Sequence, residues 1–134
     1  MSYNLFLDDV RIPEDCVTYM HQRIGPRNPI YINETWIIAR DFKSFVAIIE
    51  KHGNPKVISF DHDLAFEHYA DDNGDGTWTL KDESTFIEKT GYDAAKWYMN
   101  WLRENGLPVA EIFIHSANPV GSENIRSVFQ TKSA

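Results

Sequence analysis

Val57-Ile58-Ser59-Phe60-Asp61-His62-Asp63-Leu64 is the stretch on which the reading of this chain turns. An apolar run stops abruptly at two carboxylates with an imidazole between them. A strand of this composition is buried along its length and delivers charge at its C-terminal edge, where ligands bind in open α/β sheets. Leu5-Phe6-Leu7 ends in the same way at Asp8-Asp9, and Ile112-Phe113-Ile114 ends at His115-Ser116. One acid at a strand end is ordinarily just solvated. Three strands ending in chemically capable residues point to a shared site.

Working outward, Thr35-Trp36-Ile37-Ile38-Ala39-Arg40 is rich in β-branched and aromatic residues and reads as a strand. Asp41 is an expected N-cap, because Phe42, Phe45, Val46 and Ile49 then fall at i, i+3, i+4 and i+7 on one helical face. Gly53 and Pro55 close that helix. Strand, helix and the run to Asp61 make a βαβ unit, which requires parallel strands. Upstream, Tyr3–Leu7 is a further strand, turned away by Arg11-Ile12-Pro13. Downstream, Thr90-Gly91-Tyr92-Asp93 has capping-box spacing, with Asp where Glu or Gln is preferred. Ala94, Trp97, Tyr98, Trp101 and Leu102 share a face until Gly106 and Pro108. A last helix turns Ile125, Val128 and Phe129 inward, with Ser122 read as its N-cap. The fold class expected is α/β, a small parallel sheet of about four strands with flanking helices.

Two stretches do not fit this pattern and read as insertions, about 14–34 and 66–89. The first is broken by Gly25-Pro26-Arg27-Asn28-Pro29 and offers only extended pieces at Cys16–Met20 and Pro29–Ile32. The second is acidic and glycine-punctuated, with Trp78-Thr79-Leu80 as one arm of a hairpin. Asp71, Asn73, Asp75 and Gly76 match the first half of an EF-hand loop, with Asp82 where the bidentate Glu is expected. No pair of helices flanks them, so calcium binding there is the weaker reading.

Bulk properties narrow the function classes. The 134 residues are one domain's length, and 43% hydrophobic content supports a core without staples. A formal charge of −7 argues against wrapping a long duplex nucleic acid, though one cationic pocket would admit a nucleotide. Cys16, the single cysteine, forms no internal disulfide, which fits a reducing compartment. No run approaches membrane-spanning length, so a cytoplasmic protein is expected.

Asp8, Asp9, Asp61 and Asp63 come from strands that would be neighbours, and gathered carboxylates repel unless a cation sits among them or some take up protons. Hard oxygen donors without cysteine suggest Mg²⁺, Mn²⁺ or Ca²⁺ rather than a thiolate-rich zinc site, with Mg²⁺ or Mn²⁺ the expected choice. His62 and His115 suit general base and general acid work, or metal ligation. Strand alternation sends Asp61 and Asp63 one way and His62 the other, so His62 joins the site only if the strand breaks there. Ser116, Asn118 and Gly121 lie in a polar loop running into a helix N-terminus, a natural phosphate seat, and Arg11 is a charge clamp.

Leu5-Phe6-Leu7-Asp8-Asp9 with Arg11 and Pro13, Ser59-Phe60-Asp61-His62-Asp63-Leu64, and His115-Ser116-Ala117-Asn118-Pro119-Val120-Gly121 resemble the signature of the cyclic-phosphate processing receiver domains. The resemblance implies a receiver-like (flavodoxin-like) sheet with the fifth strand reduced or lacking. It places Asp8 and Asp9 as the metal-binding pair, Asp61 where receivers carry the phosphoacceptor, and Ser116 where they carry a phosphate-sensing hydroxyl. The receiver lysine has no counterpart, whereas His62 and His115 match the cyclic-phosphate family. The function expected is metal-assisted hydrolysis of a cyclic phosphodiester on a nucleotide or RNA end, with His115, His62 and Asp61 catalytic. The alternative is a non-enzymatic receiver-like signalling or nucleotide-binding domain.

Overall fold

The computed structural model describes residues 2–18, 28–64, 71–72, 78–79, 89–116 and 118–130. Four strands, β1 (Asn4–Leu7), β2 (Trp36–Ala39), β3 (Val57–Phe60) and β6 (Glu111–Ile114), form one parallel sheet in the order β2-β1-β3-β6. Helices α3 (Phe42–His52), α4 (Gly91–Asn105) and α5 (Pro119–Phe129) flank it. A separate two-residue ladder pairs β4 (Asp71–Asp72) antiparallel with β5 (Trp78–Thr79), so Trp78 and Thr79 do form a hairpin-like arm. Leu80, and Asn73, Asp75, Gly76 and Asp82 of the EF-hand-like pattern, lie outside the described residues. No described helix is long and apolar enough to cross a membrane.

Parallel neighbours need crossovers, and these are right-handed almost without exception. The step from β1 to β2 runs one way across the sheet, whereas those from β2 to β3 and from β3 to β6 run the other way. The β1–β2 crossover must therefore cover one face and the remaining helices the other. Strand alternation agrees. Leu5, Leu7, Ile37, Ala39, Ile58, Phe60, Ile112 and Ile114 pack with α3, α4 and α5, whereas Phe6, Trp36, Ile38 and Phe113 pack with Cys16 and Tyr31.

Residues 14–34 are thus the obligatory β1–β2 crossover. Its described parts are single helical turns, α1 (Asp15–Thr18) and α2 (Ile30–Asn33), and not the extended pieces expected at Cys16–Met20 and Pro29–Ile32. Tyr19 and Met20 lie outside the described residues. The β-branched Val17, Thr18, Ile30 and Ile32 suggest strand. Local side-chain bonds override them: Ile12 N–H donates to Asp15 Oδ2 at 3.0 Å and Ile30 N–H to Asn28 Oδ1 at 3.1 Å.

The capping signals at α3 and α4 act as their spacing predicts. Asp41 with Ser44, and Thr90 with Asp93, each form a reciprocal capping box. The start of α5 differs from expectation. Its N-cap is Asn118, whose Oδ1 accepts from Gly121 N–H at 3.0 Å, and Pro119 supplies a first helical position that needs no donor. Ser122 therefore lies one turn inside the helix, and its hydroxyl donates back to Ser116 O.

Candidate functional site

The sheet ladder continues one residue past β1, β3 and β6. Asp8 N–H donates to Ala39 O at 3.0 Å, Asp61 N–H to Leu7 O at 3.0 Å, and His115 N–H to Phe60 O at 2.9 Å. Because alternation has period two, Asp8, Asp61 and His115 project from the same face as Phe6, Ser59 and Phe113. One ligand atom from each of Asp8, Asp61 and His115 lies within 4.8 Å of the others. The cluster sits between β1 and β3, where successive crossovers depart in opposite directions, the switch point at which open α/β sheets take their ligands.

Asp8 is wholly buried. Its Oδ1 accepts from Val10 N–H and Arg11 N–H, each at 2.9 Å, and its Oδ2 lies 3.0 Å from His115 Nε2. Burial pushes this carboxyl up, but the contact with His115 and the two backbone donors outweigh it and hold the pKa at about 2. Asp61 is the opposite case. Burial first, then the charge of Asp8, with a further contribution from Asp63, push its pKa up to about 8 against the pull of Arg11. Its Oδ1 accepts from His62 N–H at 2.9 Å, whereas buried Oδ2 makes no hydrogen bond among the described residues. Arg11 Nη1 stands 3.7 Å from Asp8 Oδ2 and 3.8 Å from Asp61 Oδ2, close enough for attraction but beyond hydrogen-bond reach.

His115 has no exposed surface, and burial lowers its pKa. Its ring stacks on Phe6 with centroids 4.3 Å apart, and Nδ1 lies 2.7 Å from Ser59 Oγ. Ser59 Oγ in turn lies 2.7 Å from the Tyr31 hydroxyl.

The chain leaves the ladder directly after Asp61, so the alternation that would send His62 to the opposite face does not extend to it. His62 turns toward α5, and its Nδ1 lies 2.9 Å from Asp63 Oδ1. Asn118 Nδ2 donates weakly to the same carboxylate, at 3.4 and 3.5 Å. Two glycines make room for this turn. A Cβ on Gly91 would lie 1.7 Å from Asp61 O, and one on Gly121 would lie 2.3 Å from His62 Cγ. Gly91 N–H also donates to His62 O at 2.8 Å, which anchors the bend to the first turn of α4.

The structure thus brings Asp8, Asp61, His115 and Arg11 together. It sets His62 and Asp63 against Asn118 and Gly121 at the start of α5. Asp9 is half-buried outside the three-residue cluster, with its pKa raised by burial and by Asp8. Ser116 is buried, and its hydroxyl accepts from Asn118 N–H at 3.1 Å. Tyr31 and Ser59 escaped sequence reasoning. Ser59 did leave a signal, as a polar residue inside an apolar strand two positions before Asp61. Tyr31 left none, because its crossover has no readable period.

The donors fit a hard divalent cation. Two buried carboxylates face each other, and the unbonded Asp61 oxygen calls for either a cation or a proton.

A family model described as the cyclic-phosphate processing receiver domain matches residues 3–131. The chain belongs to this family. Its parallel four-stranded sheet with flanking helices is the receiver-like, flavodoxin-like arrangement. No curated protein matches the chain. A solved structure described as a yeast Spc42 trimeric coiled-coil segment fused to another structure is 18% identical, with a TM-score of 0.47. The match covers 95% of this chain and 63% of that one, so this family member spans less than two thirds of that structure's length.

Proposed function

We propose that the chain hydrolyses a cyclic phosphodiester on a nucleotide or an RNA end, with Mg²⁺ or Mn²⁺ held by Asp8 and Asp61. The observation that carries this reading is the buried Asp61 Oδ2, which makes no hydrogen bond among the described residues although it lies beside ionised Asp8 at the switch point of the sheet. Bound there, the cation supplies Lewis-acid stabilisation of charge on the phosphoryl oxygens. Arg11, between the two carboxylates and partly exposed, adds a positive charge on the solvent side.

His62 is the general base of this reading. Asp63 holds its Nδ1, so Nε2 takes the proton of the attacking water as the new P–O bond forms. The ring P–O bond breaks, and the departing oxygen receives that proton, leaving a phosphomonoester. Such proton transfers contribute about 10²–10⁴-fold. Ser116, Asn118 and the first turn of α5 around Gly121 make the phosphate side of the site, where the helix dipole favours an anion. His115, with Nδ1 facing Ser59 and Nε2 facing Asp8, acts on Asp8 and not on substrate.

The test is turnover of 2′,3′- and 3′,5′-cyclic nucleotides and of cyclic-ended RNA with Mg²⁺ or Mn²⁺ present. Asp61→Asn should abolish turnover while the chain stays folded. Full activity in that variant, or turnover indifferent to chelator, overturns the proposal. Labelling of Asp61 by acetyl phosphate in place of turnover marks the signalling alternative.

A further inference from the structure

Tyr31, Ser59, His115 and Asp8 form one unbroken line, with successive separations of 2.7, 2.7 and 3.0 Å. The line runs from α2 on the crossover face to the acid pair, and all four residues are buried. The reaction proposed above uses Asp8 but assigns nothing to Tyr31 or Ser59. The place of each hydrogen follows link by link. Ionised Asp8 only accepts, so the facing Nε2 carries a hydrogen. A ring in its neutral form, the one that a site without solvent exposure favours, has one hydrogen to place. Nδ1 is therefore an acceptor, and the hydroxyl aimed at it from 2.7 Å, that of Ser59, must donate. The Ser59 oxygen then accepts from the Tyr31 hydroxyl. The Tyr31 ring is held by a stack on Trp36 at 5.5 Å and by the edge of Phe6 at 6.2 Å, and its hydroxyl also meets the Cys16 thiol.

We propose that Tyr31 and Ser59 are positioning residues of the acid site. They fix His115 as its Nε2–H tautomer, which makes it a donor to Asp8 and leaves Asp8 and Asp61 as the cation's protein ligands. A nitrogen that carries hydrogen has no lone pair to offer. For His115 to ligate through Nε2, its hydrogen would have to move to Nδ1 and the two hydroxyl links would have to reverse together. The bland account is that these polar atoms merely satisfy one another inside an apolar face. That account predicts that their removal changes stability alone. The tautomer stands on geometry, whereas its effect on cation binding rests on the metal reading above.

Nitrogen-15 spectra of histidine-labelled chain separate these accounts, combined with Mg²⁺ titration of the wild type and of Ser59→Ala and Tyr31→Phe. The wild type should show His115 protonated at Nε2 and bare at Nδ1, before and after saturation with Mg²⁺. Ser59→Ala should mix the tautomers and weaken Mg²⁺ binding by about 10–100-fold, the range for loss of a group that orients a ligand. Tyr31→Phe, which keeps the ring packing, should weaken it in the same direction by less and carries the test if Ser59→Ala fails to fold. A hydrogen on Nδ1 in the wild type, loss of the Nε2 hydrogen on Mg²⁺ binding, or unchanged Mg²⁺ affinity in both variants overturns the proposal. A wild-type chain that takes up no Mg²⁺ defeats the metal reading alone. The wild-type tautomer and its mixing in Ser59→Ala then decide this one.

Discussion

His115 and Asp8 come from β6 and β1, which β3 separates, yet their side chains meet at 3.0 Å with neither exposed. Strands two apart stand about 10 Å from one another, so the ring must reach across β3. It can do so because the β3 residue in register with Phe6 and Phe113 is Ser59, the smallest of the three. A serine in an otherwise apolar strand thus opens the space for the ring and supplies its hydrogen-bond partner. Ser59→Val should close that space and push the imidazole off Phe6. His115→Ala instead leaves a cavity and removes a donor from Asp8, and the two effects together should cost about 2–4 kcal/mol of stability. Urea unfolding checks the magnitude; a loss below about 0.5 kcal/mol would mean that the ring is not packed as described.

The acid pair makes stability depend on pH in two opposite senses. The folded-state pKa of Asp61 is raised from 3.8 to about 8, so the folded chain holds a proton that the unfolded chain gives up. Its contribution to stability is greatest below pH 3.8 and is lost as pH rises toward about 8. Asp8, held at about 2, contributes stability that is present above 3.8 and lost as pH falls toward 2. Without divalent cation, melting temperature should therefore carry a declining component between pH 5 and 8 that Asp61→Asn removes. Mg²⁺ should restore more stability at pH 8 than at pH 5, because it competes with that proton. Thermal melts across this range, with and without chelator, test both statements. A wild-type slope unchanged by Asp61→Asn would show that another group sets it.

The sheet, its flanking helices and the pairing of Asp8 with Asp61 were legible from local pattern, whereas Asp9 and Asp63, expected beside them, lie outside the three-residue cluster. Leu5-Phe6-Leu7, Val57–Phe60 and Ile112–Ile114 are short apolar runs whose only economical home is a buried parallel strand, and the period of two then places Asp8, Asp61 and His115 on one face. Asp41 and Thr90 announced their helices by capping chemistry. The crossover at 14–34 was illegible because Val17, Thr18, Ile30 and Ile32 favour strand, whereas the side chains of Asp15 and Asn28 turn the backbone into single helical turns. The start of α5 was read four residues late, since Ser122 and Asn118 are both good caps and only Asn118 is followed by proline. The bend at His62 depends on contacts with Gly91 and Gly121, which lie 29 and 59 residues further along the chain and cannot be seen from residues 57–64.

Those two glycines separate folding from function. Neither has a positive φ, so alanine would be strained by contact alone. Gly91→Ala sets a methyl against the backbone of Asp61, which cannot yield without breaking the bond from Gly91 N–H to His62 O. It should cost about 1–3 kcal/mol, roughly 4–12 °C in melting temperature for a domain of this size. Gly121→Ala meets a side chain instead, the ring of His62, which can rotate at smaller cost. That variant should stay closer to wild-type stability and lose turnover of the cyclic phosphate by more than tenfold, because the ring leaves its contact with Asp63. Measuring melts and turnover together on both variants checks this. Equal losses of stability would show that His62 is wedged as firmly as the backbone.

Arg11 offers the sharpest test of what the acid pair is for. Its guanidinium stands 3.7 and 3.8 Å from Asp8 and Asp61, where it offsets part of their repulsion while remaining partly exposed. If a divalent cation belongs between those carboxylates, Arg11 competes with it for the same charge. Arg11→Gln keeps the backbone N–H that Asp8 accepts and removes the guanidinium charge. The variant should be less stable without cation, by about 0.5–1 kcal/mol given its partial exposure. It should also bind Mg²⁺ about 2–5-fold more tightly, because the competitor is gone. Turnover should fall nonetheless, since the same charge would no longer meet the phosphate. Calorimetric Mg²⁺ titration beside cyclic-phosphate turnover separates the two effects. Weaker Mg²⁺ binding together with lost turnover would instead make Arg11 a support of the cation site, with no competition between them.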